Sequence, residues 1–299
     1  MRHINLKGMG VALITPFLTN GGVDYITLSH LVEYQIKNGT DYLVILGTTA
    51  ETPTLTDREK KRIIKHVVNK VNKRIPIVAG IGGNNTQAVI ENLQSGDFSG
   101  IDAILSTVPY YNKPPQEGIY QHYKKIAEAT PLPVILYNVP GRTGVNMEAE
   151  TVLRLARDVE NIVAIKEASG NILQAETIIK NKPADFKLIS GDDGITLQLI
   201  KLGAVGVISV IGNALPLEFG NMVHLALHKH YEQANDVNMR LKKLMELLFV
   251  DGNPAGIKSV LDMMGYIENV LRLPLIPAQI ETYKRIHSEL RKLNIKLYV

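Results

Sequence analysis

The chain contains no cysteine and no tryptophan among its 299 residues. Without thiols there is no disulfide framework, no thiolate metal site and no cysteine nucleophile. That composition is compatible with a reducing compartment. With aromatics at only 6%, platforms for stacking nucleic-acid bases are scarce. No run approaches ~18 consecutive apolar residues, so no membrane span is expected. Met1-Arg2-His3-Ile4-Asn5 lacks the apolar stretch and small-residue cleavage site of a signal peptide. The expected location is therefore cytoplasmic.

An excess of one charge sign is also modest, at a net +4 with a pI of about 9.0. Such a pI admits a nucleic-acid partner. Yet Arg58, Lys60, Lys61, Arg62 and Lys65 alternate with Ile63, Ile64, Val67 and Val68. That pattern is the solvated face of an amphipathic helix, and no nucleic-acid partner is expected. A hydrophobic fraction of 45% with 21% charge is ordinary for a globular chain and excludes a disordered one. At ~150 residues per domain the length suggests two domains, but one α/β barrel of ~250 residues is equally admissible.

Eight short apolar runs recur along the chain. They are Gly10–Ile14, Tyr42–Leu46, Ile75–Ala79, Ala103–Leu105, Pro133–Tyr137, Ile162–Ile165, Phe186–Ile189 and Gly206–Val210. Their spacing of about 25 to 35 residues matches one βα unit. Between them lie amphipathic segments with start signals, such as the capping box Thr56-Asp57-Arg58-Glu59 and the lead-in Asn146-Met147-Glu148. Strands apolar on both faces belong to a parallel sheet covered by helices. Eight such units predict a closed (β/α)8 TIM barrel over residues 1–230. An open doubly wound sheet fits less well, because no dinucleotide fingerprint follows the first strand. From residue 231 the alternation stops. Helices over about 231–248, 254–264 and 277–293 predict a C-terminal helical appendage, 231–299.

In such a barrel, chemistry sits where strands end and βα loops begin. Lys166 continues the run Ile162–Ile165, so alternation makes it a candidate to point into the barrel mouth. A buried ammonium is costly, and a neutral amine is what attack on a carbonyl requires. The plainer alternative is a lysine paired with Glu167 or Asp192. Tyr137 ends the neighbouring strand, where a phenol could move protons or simply fill the core. Thr48 and Thr49 follow Gly47, as a carboxylate cradle or as an ordinary helix-leading turn. Arg142 lies in a Gly-Arg-Thr-Gly loop, suited to a carboxylate or to a surface salt bridge. The convergence of all four on strand ends favours a site.

The motifs Gly47-Thr48-Thr49-Ala50-Glu51, Pro109-Tyr110-Tyr111-Asn112-Lys113-Pro114, Tyr137-Asn138-Val139-Pro140-Gly141-Arg142-Thr143-Gly144, Ile165-Lys166-Glu167-Ala168-Ser169-Gly170 and Ser190-Gly191-Asp192-Asp193 make the chain recognisable. Over nearly its whole length it resembles the dihydrodipicolinate synthase (4-hydroxy-tetrahydrodipicolinate synthase) family. That family belongs to the pyruvate-lysine aldolase superfamily, which includes sialate lyase. The resemblance implies condensation of pyruvate with L-aspartate 4-semialdehyde in lysine and diaminopimelate biosynthesis, without metal or organic cofactor. It implies that Lys166 forms the Schiff base and that Thr49, with the backbone near Thr48, holds the pyruvate carboxylate. Tyr137 would relay protons with Thr48 and with Tyr111 from a neighbouring subunit, in a homo-oligomer (dimer or tetramer). Arg142 would hold the semialdehyde carboxylate, and Gly191 and Ile208 would line the pyruvate pocket. The Arg142 loop favours the synthase over sialate or keto-sugar-acid lyases. The intact lysine, tyrosine and threonine set disfavours a noncatalytic sensor.

Two positions depart from the family pattern. Many relatives have Gly at Ala50, a difference of one methyl group. Relatives inhibited by lysine carry a Glu four residues after the Asn matching Asn84, with His residues in the preceding helix start. Here those positions read Ala88, Asp57 and Lys60, while Asn84 and Tyr110 remain. Other motifs lead nowhere. Gly80-Ile81-Gly82-Gly83-Asn84-Asn85 lacks the third glycine of a nucleotide fingerprint. His224, His228 and His230 carry metal-like spacing but no carboxylate in their segment, on a helix away from the strand ends. There is no Gly-x-Ser-x-Gly or His-Glu-x-x-His.

Overall fold

The computed structural model describes residues 4–298. Met1, Arg2 and His3, part of the N-terminus read above for a leader, lie outside the described residues, as does Val299. Each of the eight apolar runs forms one strand: β1 Gly8–Ala12, β2 Tyr42–Ile45, β3 Ile77–Gly80, β4 Ala103–Thr107, β5 Val134–Asn138, β6 Ile162–Glu167, β7 Lys187–Ser190 and β8 Gly206–Ser209. They pair in parallel in sequence order, and β8 pairs with β1 to close the barrel. β1 ends earlier than the apolar run suggests. Leu13 still donates its N–H to Val44 O, but Ile14 donates to the Asn213 side chain instead of a neighbouring strand.

Side chains alternate between two apolar layers. Tyr42, Val44, Val78, Ala103, Leu105, Ile135, Ala164, Ile189 and Ile208 belong to one buried cluster that fills the barrel. Tyr42 is fully buried, and a Cβ at Gly10 would lie 2.2 Å from its ring. The absence of a side chain at Gly10 is thus what lets so large a ring enter the barrel. The opposite strand faces pack under the helices, as Ile104 and Val207 do in one cluster and Leu136 and Ile165 in another.

The helices are α1 Tyr25–Lys37, α2 Asp57–Val71, α3 Thr86–Ser95, α4 Gln116–Glu128, a short α5 Pro140–Thr143, α6 Ala149–Asp158, α7 Ile172–Asn181, α8 Thr196–Leu202 and α9 Pro216–Leu227. The expected capping box opens α2: Thr56 Oγ1 accepts from the Glu59 N–H, and the Glu59 carboxylate accepts from the Thr56 N–H. Ile63, Ile64 and Val67 are buried while Arg58, Lys61, Arg62 and Lys65 are exposed. The basic residues therefore form a solvated face. Among the described residues no helix is long and apolar enough to cross a membrane.

Three further helices follow: α10 Tyr231–Leu247, α11 Ala255–Met263 and α12 Ile280–Lys292. α10 packs on α9, and α12 packs on α10 and α11. This region does more than append to the barrel. Asn253, Lys258 and Arg272 reach the loops at the strands' C-terminal ends.

Candidate active site

Lys166 is only 5% exposed. Ala164 belongs to the cluster inside the barrel, and Lys166, two residues on, shares its face. The β5–β6 register places Tyr137 directly beside Lys166. The Lys166 ammonium nitrogen lies 4.3 Å from the centre of the Tyr137 ring. Among the described residues Lys166 forms no salt bridge, so it is not the partner of Glu167 or Asp192. Glu167, on the other strand face, accepts hydrogen bonds from Asn138, Gln174 and the Ser169 N–H. Gly191 makes room for the lysine: a Cβ there would lie 3.1 Å from Lys166 Cε and 2.5 Å from Ala168 Cβ. Ile189, beside Lys166 in the β6–β7 register, and Ile208 complete an apolar wall.

Thr48-Thr49-Ala50 form a 3-10 turn directly after β2. The turn is tied down on several sides. Thr15 Oγ1 donates to Ala50 O at 2.8 Å, and Thr52 Oγ1 donates to Gly47 O at 2.8 Å. Glu51, in the left-handed region at φ 56°, buries its carboxylate against Lys258. Glu51 Oε1 and Lys258 Nζ are 2.5 Å apart, with both side chains fully buried. Lys258 also donates to Val270 O at 2.8 Å and sits 4.2 Å from the centre of the Phe17 ring. Glu51 Oε2 accepts from the Arg272 N–H, and the Arg272 guanidinium pairs with Glu59. Burial pulls Lys258 down to about 8, with Glu51 opposing the shift.

Asn253 joins this turn to the Arg142 loop. Its side-chain Nδ2 donates to Thr49 Oγ1 at 2.9 Å, and its backbone carbonyl accepts from Arg142 Nη2 at 3.2 Å. Arg142 itself is exposed on α5. The Tyr110–Lys113 loop lies alongside: the Tyr111 N–H donates to Thr143 O at 3.4 Å. Tyr111 stands in the left-handed region at φ 76° and is 87% exposed. It makes no hydrogen bond to Tyr137 or Thr48, and its hydroxyl has no hydrogen-bond partner among the described residues.

At the end of β8 the buried Asp193 carboxylate accepts from the N–H groups of Val210 and Ile211 at 3.0 and 2.8 Å. Burial pushes this carboxyl up to about 6, against those hydrogen bonds. His224 donates no ring to the barrel mouth; its Nε2 lies 2.8 Å from Asp41 Oδ2, which also accepts from the Met9 N–H near the start of β1. Sequence reasoning missed Asn253, Lys258 and Arg272, because they lie some 200 residues from the turn they hold. It named Asp193 only as part of a motif. The one available signal was a lysine within the apolar segment Ile257-Lys258-Ser259-Val260-Leu261.

A closed parallel barrel with a buried amine beside a phenol at its C-terminal end, and a pinned hydroxyl turn after another of its strands, defines a class of carbonyl-binding barrel proteins. The chain belongs to the dihydrodipicolinate synthetase family, whose model matches residues 5–293. It is 66% identical over 99% of its length to a curated 4-hydroxy-tetrahydrodipicolinate synthase of Parabacteroides distasonis, all of which is covered. It is similar to the chloride-inhibited dihydrodipicolinate synthase of Acinetobacter baumannii, solved in complex with pyruvate. There the TM-score is 0.95 and the identity 42%, over 98% of this chain and 100% of that one. The enzyme of Cyanidioschyzon merolae, solved with lysine bound, matches with a TM-score of 0.94 and 38% identity, over 98% of this chain and 100% of that one.

Proposed function

We propose that this chain condenses pyruvate with L-aspartate 4-semialdehyde, the reaction of a 4-hydroxy-tetrahydrodipicolinate synthase. The observation that carries the reading is Lys166: a buried amine at the barrel mouth, with no salt-bridge partner among the described residues, beside Tyr137. The neutral amine adds to the ketone of pyruvate, and uptake of one proton with loss of one water gives a protonated imine. The imine draws electrons from the adjacent methyl, which releases a proton and becomes an enamine carbon. That carbon attacks the aldehyde, and the new oxyanion takes a proton to become a hydroxyl. The amine of the second substrate then adds to the imine carbon and displaces Lys166, closing a six-membered ring. No step calls on a metal or organic cofactor.

In this reading Thr49 and the turn backbone at Thr48 bind the pyruvate carboxylate, and Gly191 and Ile208 shape the pocket. Tyr137 moves protons with Thr48 and with Tyr111 supplied by a second copy of the chain. Arg142 binds the carboxylate of the semialdehyde. Residues 1–230 form the catalytic barrel and 231–299 the helical region that braces it, in a cytoplasmic homo-oligomer. Borohydride reduction in the presence of pyruvate, followed by peptide mapping, tests the assignment. The expected adduct is on Lys166 and is absent from Lys166→Ala. An adduct on the variant overturns the nucleophile. No adduct on the wild type favours a binding protein on the same barrel, and preferential turnover of sugar acids favours a lyase.

A further inference from the structure

We infer that Asn253 is a positioning residue whose side-chain amide holds the Thr49 hydroxyl as a donor toward the substrate carboxylate, while its backbone carbonyl independently anchors Arg142. The inference rests on the reading of Thr49 and Arg142 given above. Asn253 and Thr49 are 6% and 2% exposed, so their 2.9 Å hydrogen bond is shielded from water. A threonine hydroxyl has one proton and two lone pairs, whereas an amide N–H can only donate. When Nδ2 occupies a lone pair, the proton of Thr49 stays unspent. No acceptor for it exists among the described residues of this chain. A buried donor left unpaired is costly, and an anion entering the barrel mouth relieves that cost. The Asn253 Oδ1 atom also has no partner. An amide turned the other way would take the Thr49 proton onto Oδ1 and cancel the donor.

The two halves of Asn253 therefore serve different ligands. The side chain meets Thr49, and the carbonyl meets Arg142 at 3.2 Å. A side-chain substitution removes the first link and leaves the second. The order of damage is the signature of the role. Asn253→Asp has the same shape, yet its carboxylate can only accept, so it captures the Thr49 proton and sets a negative charge beside the incoming carboxylate. Asn253→Ala leaves the proton free but undirected. A residue that merely supported the fold would lower the thermal midpoint, most in Asp because a buried carboxylate is costly, without shifting the pyruvate dependence of the folded protein.

The experiment titrates pyruvate against borohydride-trapped adduct in the wild type, Asn253→Asp, Asn253→Ala, Thr49→Val and the Thr49→Val/Asn253→Asp double variant. The KM for the semialdehyde and the thermal midpoint are measured alongside. Losing one hydrogen bond to a charged group raises the pyruvate needed for half-maximal adduct by about 10- to 100-fold in Asn253→Asp. Asn253→Ala, the second probe should the acidic variant fold poorly, shows a smaller rise. The semialdehyde KM stays within about twofold in both, because the carbonyl link is backbone. The double variant should be no worse than the poorer single one, since both remove the same donor. Trapping by Asn253→Asp at wild-type pyruvate concentrations overturns the inference. So does a double variant whose losses multiply, or an Ala variant more impaired than Asp. A wild type that traps no pyruvate defeats instead the functional reading on which the inference stands.

Discussion

Lys166 and Tyr137 face each other across adjacent strands, and the lysine nitrogen rests 4.3 Å from the centre of the phenol ring. Parallel pairing sets this relationship: residues in register on β5 and β6 point the same way, here into the barrel. The aromatic face favours a cation, so the ring supports both the ammonium and the protonated imine that replaces it. The same ring carries the hydroxyl proposed to move protons at the step between them.

Arg142 is expected to serve the second substrate alone. Its guanidinium donates to Asn253 O and makes no hydrogen bond to Lys166 or Thr49. Arg142→Ala should raise the semialdehyde KM or lower kcat by about 10- to 100-fold, as for a lost charge-assisted hydrogen bond. Trapping of the pyruvate adduct should barely change. Equal damage to trapping in a single-turnover assay would refute the division of labour.

Tyr111 predicts complementation between subunits. It is the most exposed tyrosine of its loop, at 87%, and its hydroxyl has no hydrogen-bond partner among the described residues. If it completes a neighbour's site, Tyr111→Phe and Lys166→Ala are each inactive but rescue one another when mixed. Each mixed dimer then holds one site with both groups intact. Equal mixing should restore about a quarter of wild-type activity in a two-fold symmetric dimer. Absence of recovery after verified subunit exchange would place Tyr111 outside the site.

The Glu51–Lys258 pair predicts a strong asymmetry between single and double substitutions. Both side chains are fully buried, so removing one leaves an uncompensated charge. Lys258→Met should cost about 3–5 kcal/mol in denaturant unfolding. The double variant Glu51→Gln/Lys258→Met should recover much of that loss. Its activity should remain low, because the turn carrying Thr48 and Thr49 loses its anchor. A double variant as unstable as the sum of its singles would contradict the pairing.

His122 sets an acid limb of stability. It is 4% exposed, its Nδ1 bonds Thr86 Oγ1 at 2.8 Å, and burial lowers it to about 4. The unfolded chain therefore takes up a proton near pH 6.5 that the native state refuses until about pH 4. Stability should fall as pH drops through that window, by about 3 kcal/mol in total. Asp193 works in the opposite sense: raised to about 6, its cost is fully present above that pH and eases on acidification. His122→Gln keeps Asp193 unchanged, so the difference between variant and wild type isolates the histidine. Urea midpoints at pH 7, 5.5 and 4.5 should show a shallower acid decline in the variant. Parallel declines would remove His122 as the cause.

Weak inhibition by L-lysine is expected. The position matching the ammonium-binding Glu of inhibited relatives is Ala88, in the first turn of α3. Asn84 Nδ2 still donates to Tyr110 O at 3.3 Å, so the neighbouring loop contact is in place. Asp57, the one nearby replacement in sequence, is exposed and paired with Lys60 at 3.1 Å. Loss of a charged partner weakens binding by about one to three orders of magnitude. Lysine titration in a steady-state assay checks this, and inhibition below one-millimolar order would require another acceptor.

The sequence alone determined the barrel and the groups at its mouth. Eight doubly apolar strands can be buried only in a covered parallel sheet, and period-two alternation aims Lys166 and Tyr137 inward whatever the helices do. Local patterning also sufficed for the Thr56–Glu59 capping box and the solvated basic face of α2. What local patterning could not encode was contact between distant segments. Asn253 against Thr49 and Lys258 against Glu51 each span about 200 residues, and only closure of the barrel and docking of α11 bring them together. Those contacts decide how rigidly the threonine turn is held and which way its hydroxyl points. Tyr111 marks the opposite case: its sequence motif is plain, yet the tertiary structure of one chain leaves it 87% exposed, because a loop that buries no side chain at this position gives a tyrosine nothing in its own chain to pack on.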